Sequence, residues 1–504
     1  MNRKGLCLLC LFLCVLLDGV APAADRDGFQ PLTLTQLMAW QGAGVPQARL
    51  VRLIHERGLA RAAGPAEIRQ FEEAGAEPEL LGVIGSVPSG QAGKGEEIPA
   101  TLFQAAMEAK GQHFHEAELA VRRALRDDPE NAALHFVLGT MLRQQELWDD
   151  AFEEIGKSAR LMPDFPENHS AFAYIFYRLD DGPNAIAEAR TALSMDPQNA
   201  EGYQFLALGL YANEQYGAAE HAFAESLARD PANSDTYYDL GIAFHADKNP
   251  DAAITAYREA IRLNANFWQA HSNMALIFHE ENRLDEALSE YREARRLAPD
   301  EPSVRNNLAN TYCDKGQFDS ALAELRELYR EHPEWEQGHA CMARAYMSKK
   351  DYGNAVGELE LAVRQDPANP GGHRALGEAL LLDEKIEEAV HELRAAVSLD
   401  PDSEAAHHAL GTALFQQQQL PAAEKEFREA LRLRASPDNH YSLAACLMSM
   451  SRYEEALAEL ETAARMDPER QLYRARHDEL LRLMQNQLMQ NQPTQAQERE
   501  TMSR

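Results

Sequence analysis

Residues 267–300 read FWQAHSNMALIFHEENRLDEALSEYREARRLAPD, and residues 301–334 follow on the same plan as EPSVRNNLANTYCDKGQFDSALAELRELYREHPE. Each stretch sets a small residue (Ala275, Ala309), an alanine (Ala287, Ala321), a bulky apolar residue (Tyr291, Leu325) and a proline (Pro299, Pro333) at matching places. Working outward, Pro129, Pro163, Pro197 and Pro231 precede them on a spacing of 34, and Pro367 and Pro401 continue it. Ala265 and Ala435 fill two beats, and Pro468 closes the series one residue early. A fixed period of this length marks a stacked array in which each unit buries its apolar face against the next.

The other columns explain the period. Twelve residues before each beat stand Ala117, Ala151, Ala185, Ala219, Ala253, Ala287, Ala321, Ala355, Ala389, Ala423 and Ala456. A second small column runs Ala105, Gly139, Ala173, Ala207, Gly241, Ala275, Ala309, Ala343, Gly377, Gly411 and Ala444. Small residues at two fixed points let two helices approach closely. Larger fillers such as Leu138, Phe172, Leu240, Phe223, Tyr257 and Phe427 complete an apolar stripe at helical spacing rather than the alternation of strands. The proline then ends the second helix of each unit.

On these columns the chain resembles the tetratricopeptide-repeat family, over about eleven repeats in residues 98–470. The first repeat is degenerate, with Gln104 and Glu108 at apolar places, as for an end unit facing solvent. The resemblance implies an all-α, right-handed superhelical solenoid whose concave face is lined by the first helix of each repeat. It places Tyr174, Tyr177, Arg178, Tyr211, Tyr238 and His245 on that face in repeats three to five. In repeats seven and eight it places Asn306, Asn310, Cys313 and Arg344 there. Aromatic side chains anchor apolar groups, and amides pair with an extended peptide. Some members grip a C-terminal carboxylate with inward Lys and Asn, but here the matching lysines are missing.

The rest of the chain departs from the grid. Arg3 and Lys4, an apolar run from Leu6 to Leu17 and Ala21-Pro22-Ala23 read as a signal peptide over residues 1–24. Export to the periplasm or the exterior is therefore expected. Residues 25–86 suggest a small domain of four short helices, with Pro46, Pro65 and Pro78 near helix starts and Gly44, Gly58 and Gly75 at ends. Residues 87–97 read as a linker, 471–490 as a capping helix with Leu472, Leu480, Leu481 and Leu483, and 491–504 as a disordered tail. Of six cysteines, Cys313, Cys341 and Cys446 lie outside the leader. Their odd number and scattered spacing show no disulfide framework, and the expectation is three small buried hydrophobes.

Forty-nine Lys and Arg against 80 Asp and Glu give a net charge of −31, which disfavours nucleic acid and anionic lipid as partners. No phosphate loop, nucleophile elbow or zinc-protease motif occurs, so no enzyme, cofactor or metal is expected. His135, His169, His271, His339, His373, His407 and His440 share one column, four residues before the small one, with Tyr203 and Tyr237 in two repeats. Ligands must converge to about 2.0–2.1 Å from one ion, so a column spaced by whole repeats is read as packing. His113-Phe114-His115 and His407-His408 are the remaining metal candidates. The reading is a non-catalytic scaffold or adaptor in the bacterial envelope or exterior, binding proteins or peptides, basic ones among them, in the groove. An assembly factor for an outer-membrane, secretion or polysaccharide-export machine is one alternative. Carbohydrate binding or a hydrolytic site in the groove is another.

Overall fold

The computed structural model describes residues 31–86, 98–111 and 113–491. The expected signal peptide, the linker 87–97 and the polar tail beyond Asn491 lie outside them. Among the described residues the chain is all helical, with a single parallel bridge between Leu32 and Leu59. No described helix is long and apolar enough to cross a membrane. The chain divides into two compact units, ending at Ala265 and beginning at Asn266.

The first unit opens with α1 (Leu34–Gly42), α2 (Gln47–Arg57), α3 (Pro65–Glu73) and α4 (Pro78–Ser86). Thr33 caps α1 in a reciprocal box with Gln36, and Pro65 and Pro78 open their helices. Five helix pairs follow: α5 (Ala100–Lys110) with α6 (Phe114–Asp127), α7 (Ala132–Gln144) with α8 (Trp148–Leu161), α9 (Pro166–Arg178) with α10 (Gly182–Met195), α11 (Ala200–Ala212) with α12 (Tyr216–Arg229), and α13 (Ser234–Ala246) with α14 (Pro250–Leu263). The second unit holds six more pairs: α15 (Trp268–Glu280) with α16 (Leu284–Leu297), α17 (Pro302–Asp314) with α18 (Phe318–Glu331), α19 (His339–Ser348) with α20 (Tyr352–Gln365), α21 (Pro370–Leu382) with α22 (Ile386–Leu399), α23 (Glu404–Gln416) with α24 (Leu420–Leu433), and α25 (Pro437–Ser449) with α26 (Tyr453–Met466). It closes on α27 (Gln471–Asn491), whose Tyr473 and Leu480 are buried while Leu472 and Leu483 stay exposed.

The two small columns are where paired helices touch. All eleven alanines from Ala117 to Ala456 have no exposed surface. A Cβ on Gly139 would stand 2.6 Å from Ile155, one on Gly241 2.5 Å from Tyr257, and one on Gly411 2.7 Å from Phe427. Asn131, Asn199, Asn233 and Asn369 cap first helices with their side chains. In the second to eleventh repeats the turn into the second helix is made by a left-handed residue, Gly316 in one and non-glycine at Glu146, Asp180, Glu214, Lys248, Asn282, Lys350, Glu384, Gln418 and Ser451, the latter with φ of 57–62°. The next amide bonds back across the turn, as Leu147 N–H does to the Leu142 carbonyl at 3.0 Å.

Two sequence expectations change. The first repeat does not simply face solvent. Gln104 is exposed, but Leu102, Ala105 and Ala106 are buried in one hydrophobic cluster with the α1–α4 residues. The second change concerns Cys313 and Cys341, which form a disulfide with Cα atoms 6.0 Å apart, while Cys446 is free and buried. Neighbouring first helices α17 and α19 lie side by side, so cysteines at different positions of successive repeats meet. Reducing this bond, or replacing both residues by serine, is expected to cost about 2–4 kcal/mol in the second unit. Denaturation with and without reductant measures the loss. A peptide map showing both thiols free under oxidising conditions would refute the pairing.

Candidate functional site

First helices in the first unit carry a connected aromatic and cationic surface. Tyr174 on α9 is its centre, with ring centroids 5.2 Å from Phe205, 6.2 Å from Tyr177 and 6.3 Å from Trp148. The Arg143 guanidinium lies 4.8 Å from the Tyr174 ring and 5.9 Å from Phe205. Arg178 lies 4.8 Å over Trp148, bonds the Tyr174 hydroxyl at 3.2 Å and reaches Glu146 at 3.1 Å. Each guanidinium thus rests on ring faces, an arrangement that fixes both partners.

Towards α13 the surface turns acidic. Tyr211 pairs with Tyr216 at 5.7 Å and Tyr238 with Tyr257 at 5.8 Å. Gln204 Nε2 donates to Asp239 Oδ2 at 2.9 Å, joining α11 to α13. Burial, with Asp239, Tyr211 and Tyr174 adding to it, pushes the Tyr177 hydroxyl up to about 12. Burial likewise raises the Glu201 carboxyl against the opposing pull of Arg143, and raises Glu220 with help from Asp247. Tyr174, Tyr177, Tyr211, Tyr238 and His245 are all half-buried, whereas Arg178 is exposed.

The corresponding residues of the second unit are locked among themselves. His279 Nε2 lies 2.8 Å from one Asp314 oxygen, and Arg344 Nη1 2.7 Å from the other. Burial alone would raise the Asp314 carboxyl, and these two hydrogen bonds reverse that and hold it below its usual value. Arg344 also donates to the Cys313 carbonyl at 3.3 Å. Asn306 is buried, 4% exposed, and Asn310 is half-buried. Of the sequence-derived residues, Tyr174, Tyr177 and Arg178 are brought together in one group in the first unit, and Arg344 and Cys313 meet in the second.

The histidine column is a set of internal latches. Nδ1 of His135, His169, His271, His339, His373, His407 and His440 lies 2.5–2.7 Å from a glutamate 19 residues later: Glu154, Glu188, Glu290, Glu358, Glu392, Glu426 and Glu459. Every pair joins the first helix of a repeat to its own second helix. Of the other candidates, His113 sits on Glu108 at 3.0 Å and His408 on Ser442 at 3.0 Å. No cluster of three or more potential metal ligands occurs among the described residues. Sequence reasoning missed Arg143, Trp148, Gln204 and Asp239. Arg143 stands four residues after Gly139, as Tyr177 does after Ala173, and Gln204 three before Ala207, as Tyr238 does before Gly241, so the same placements would have found both.

Two family models described as tetratricopeptide repeat match the chain, one at residues 105–168, 206–266, 249–302 and 341–404 and the other at 278–345. Together they take in just over half of it. A model described as anaphase-promoting complex, cyclosome, subunit 3 matches residues 384–463. No curated protein matches the chain. Among solved structures, that of Pseudomonas aeruginosa pilF is similar at 22% identity and a TM-score of 0.36, over 40% of this chain and 92% of that one. Yeast Tom70 is similar at 15% identity and 0.33, over 79% and 97%. The P58(IPK) TPR domain is similar at 15% and 0.31, over 70% and 98%.

Proposed function

We propose, on the premise that the chain belongs to the tetratricopeptide-repeat family, that it is a non-catalytic adaptor holding partner proteins on the first-helix face of residues 143–257. The observation that carries this reading is the Tyr174 group, in which half-buried Tyr174 and Tyr177 of α9 meet Trp148 at the start of α8 and the buried Phe205 of α11, with Arg143 and Arg178 resting on the rings. Rigid, partly exposed aromatics are the side chains that concentrate binding energy in protein interfaces. An exported location fits the leader-like residues 1–24, and the Cys313–Cys341 disulfide is a bond that persists in oxidising compartments.

The test is a crosslinking capture from envelope extract with the full chain and with a Tyr174→Ala/Tyr177→Ala/Tyr238→Ala variant. Each deleted anchor is expected to weaken binding by about 1–2 kcal/mol, enough in combination to abolish capture. A variant that stays helical and captures the same partner equally well would move the binding surface elsewhere.

A further inference from the structure

Asp239 is the most exceptional charged group on this face. It sits half-buried on α13 and its carboxylate accepts one hydrogen bond, from the Gln204 amide. The titratable groups around it are Asp235, one turn earlier on its own helix, Tyr177 from α9 and, beside Tyr177, Tyr211 from α11. Among the described residues no cationic side chain is placed to compensate it. The guanidiniums of this face are committed elsewhere, Arg143 over Tyr174 and Phe205, and Arg178 over Trp148 and to Glu146. Thr236, one turn before Asp239 on the same side of the helix and wholly buried, carries a hydroxyl oxygen with no hydrogen-bond partner.

A carboxylate partly withdrawn from water without a counter-charge is unfavourable, and the protein supplies only an amide. A partner bringing an ammonium or guanidinium would supply the missing charge, a charge-assisted hydrogen bond and contact with neighbouring tyrosine faces. We infer that Asp239 receives a lysine or arginine side chain of an extended basic segment of the partner. This rests on the first-helix-face reading above and names the chemistry of what that face binds.

The same surroundings set a pH signature. Burial, with Asp235 adding repulsion and the Gln204 hydrogen bond opposing, pushes the Asp239 carboxyl up to about 7. A cation binds the ionised form, so affinity rises as pH passes upward through that value, by about tenfold between pH 6 and pH 8. Below about pH 7, binding expels the carboxyl proton.

The experiment is titration calorimetry of the full chain with hexalysine at about 150 mM salt, where long-range attraction is screened. It is run at pH 6 and pH 8, in buffers of different ionisation enthalpy. Wild type should show the tenfold rise and release of a proton near neutral pH. Asp239→Asn keeps the Gln204 contact and should lose both, with binding at pH 8 weakened about thirtyfold. Asp251→Asn, which removes an exposed charge from α14, should behave as wild type. Equal binding by wild type and Asp239→Asn, or a flat wild-type pH profile, overturns the inference. If the tyrosine variant has meanwhile lost its partner, the first-helix-face reading survives that failure. Preference for hexaglutamate over hexalysine would overturn it as well.

Discussion

Replacing Arg49 by leucine is expected to destabilise the first unit by about 3–5 kcal/mol. Arg49 on α2 is 6% exposed, with Nε 2.8 Å from Glu167 and 3.2 Å from Asp196, both also buried. Burial works against its charge, yet Glu167, Asp196 and Glu56 together hold the guanidinium above its usual value. Glu167 is pushed up by burial despite that guanidinium. Removing the arginine would leave two carboxylates in a site built for an ion pair. Around it, Trp40 stacks on Phe165 at 4.5 Å and Arg57 reaches Asp164 at 2.9 Å, so α1 and α2 dock on the start of α9 through this contact. The measurement is the urea midpoint of the earlier transition, since a repeat array need not unfold in one step. Arg49→Met/Glu167→Met should recover part of the loss, because it leaves one buried carboxylate, Asp196, where the single variant leaves two. A single variant within about 0.5 kcal/mol of wild type would mean that docking does not depend on Arg49.

The second large effect is expected at Phe223. It has no exposed surface and shares a buried cluster with Ala207 and Ala219, one from each small column. Truncation to alanine should cost about 3–5 kcal/mol, as transfer and cavity terms add. Phe223→Leu should cost less than about 1.5 kcal/mol, because the volume changes little. The chain itself supports the contrast, with Leu325, Leu359 and Leu393 in this column of three other repeats. Equal losses for the two variants would show that volume at this place does not decide stability.

The paired helices were legible because a packing rule leaves a mark at every turn of the repeat. A Cβ on Gly241 would run into Tyr257 and one on Gly377 into Leu393, so the small column marks where the paired helices touch. The disulfide was not legible, since its cysteines are 28 residues apart and the repeat is 34. It joins unlike positions of neighbouring units, which a column cannot display. The Arg49 latch spans 118 residues to Glu167 and occurs once, so periodicity is silent about it. On the candidate face, residue type and position pointed to Tyr174 and Tyr177. The importance of Asp239 lies in what surrounds it, and that is a tertiary fact. The histidine column was read as packing without its acid, although the pairing is written in the sequence. Where Tyr203 and Tyr237 replace histidine, Ala222 and Ala256 stand 19 residues on in place of glutamate.

That pairing has a practical consequence. Each imidazole is tied through Nδ1 to the second helix of its own repeat, so its ring signal reports first on the closure of those two helices. Seven histidine ring signals in a magnetic resonance spectrum would therefore serve as seven local thermometers spread along the array. As denaturant is added, the order in which those signals collapse would trace where the chain begins to come apart and how far each opening spreads.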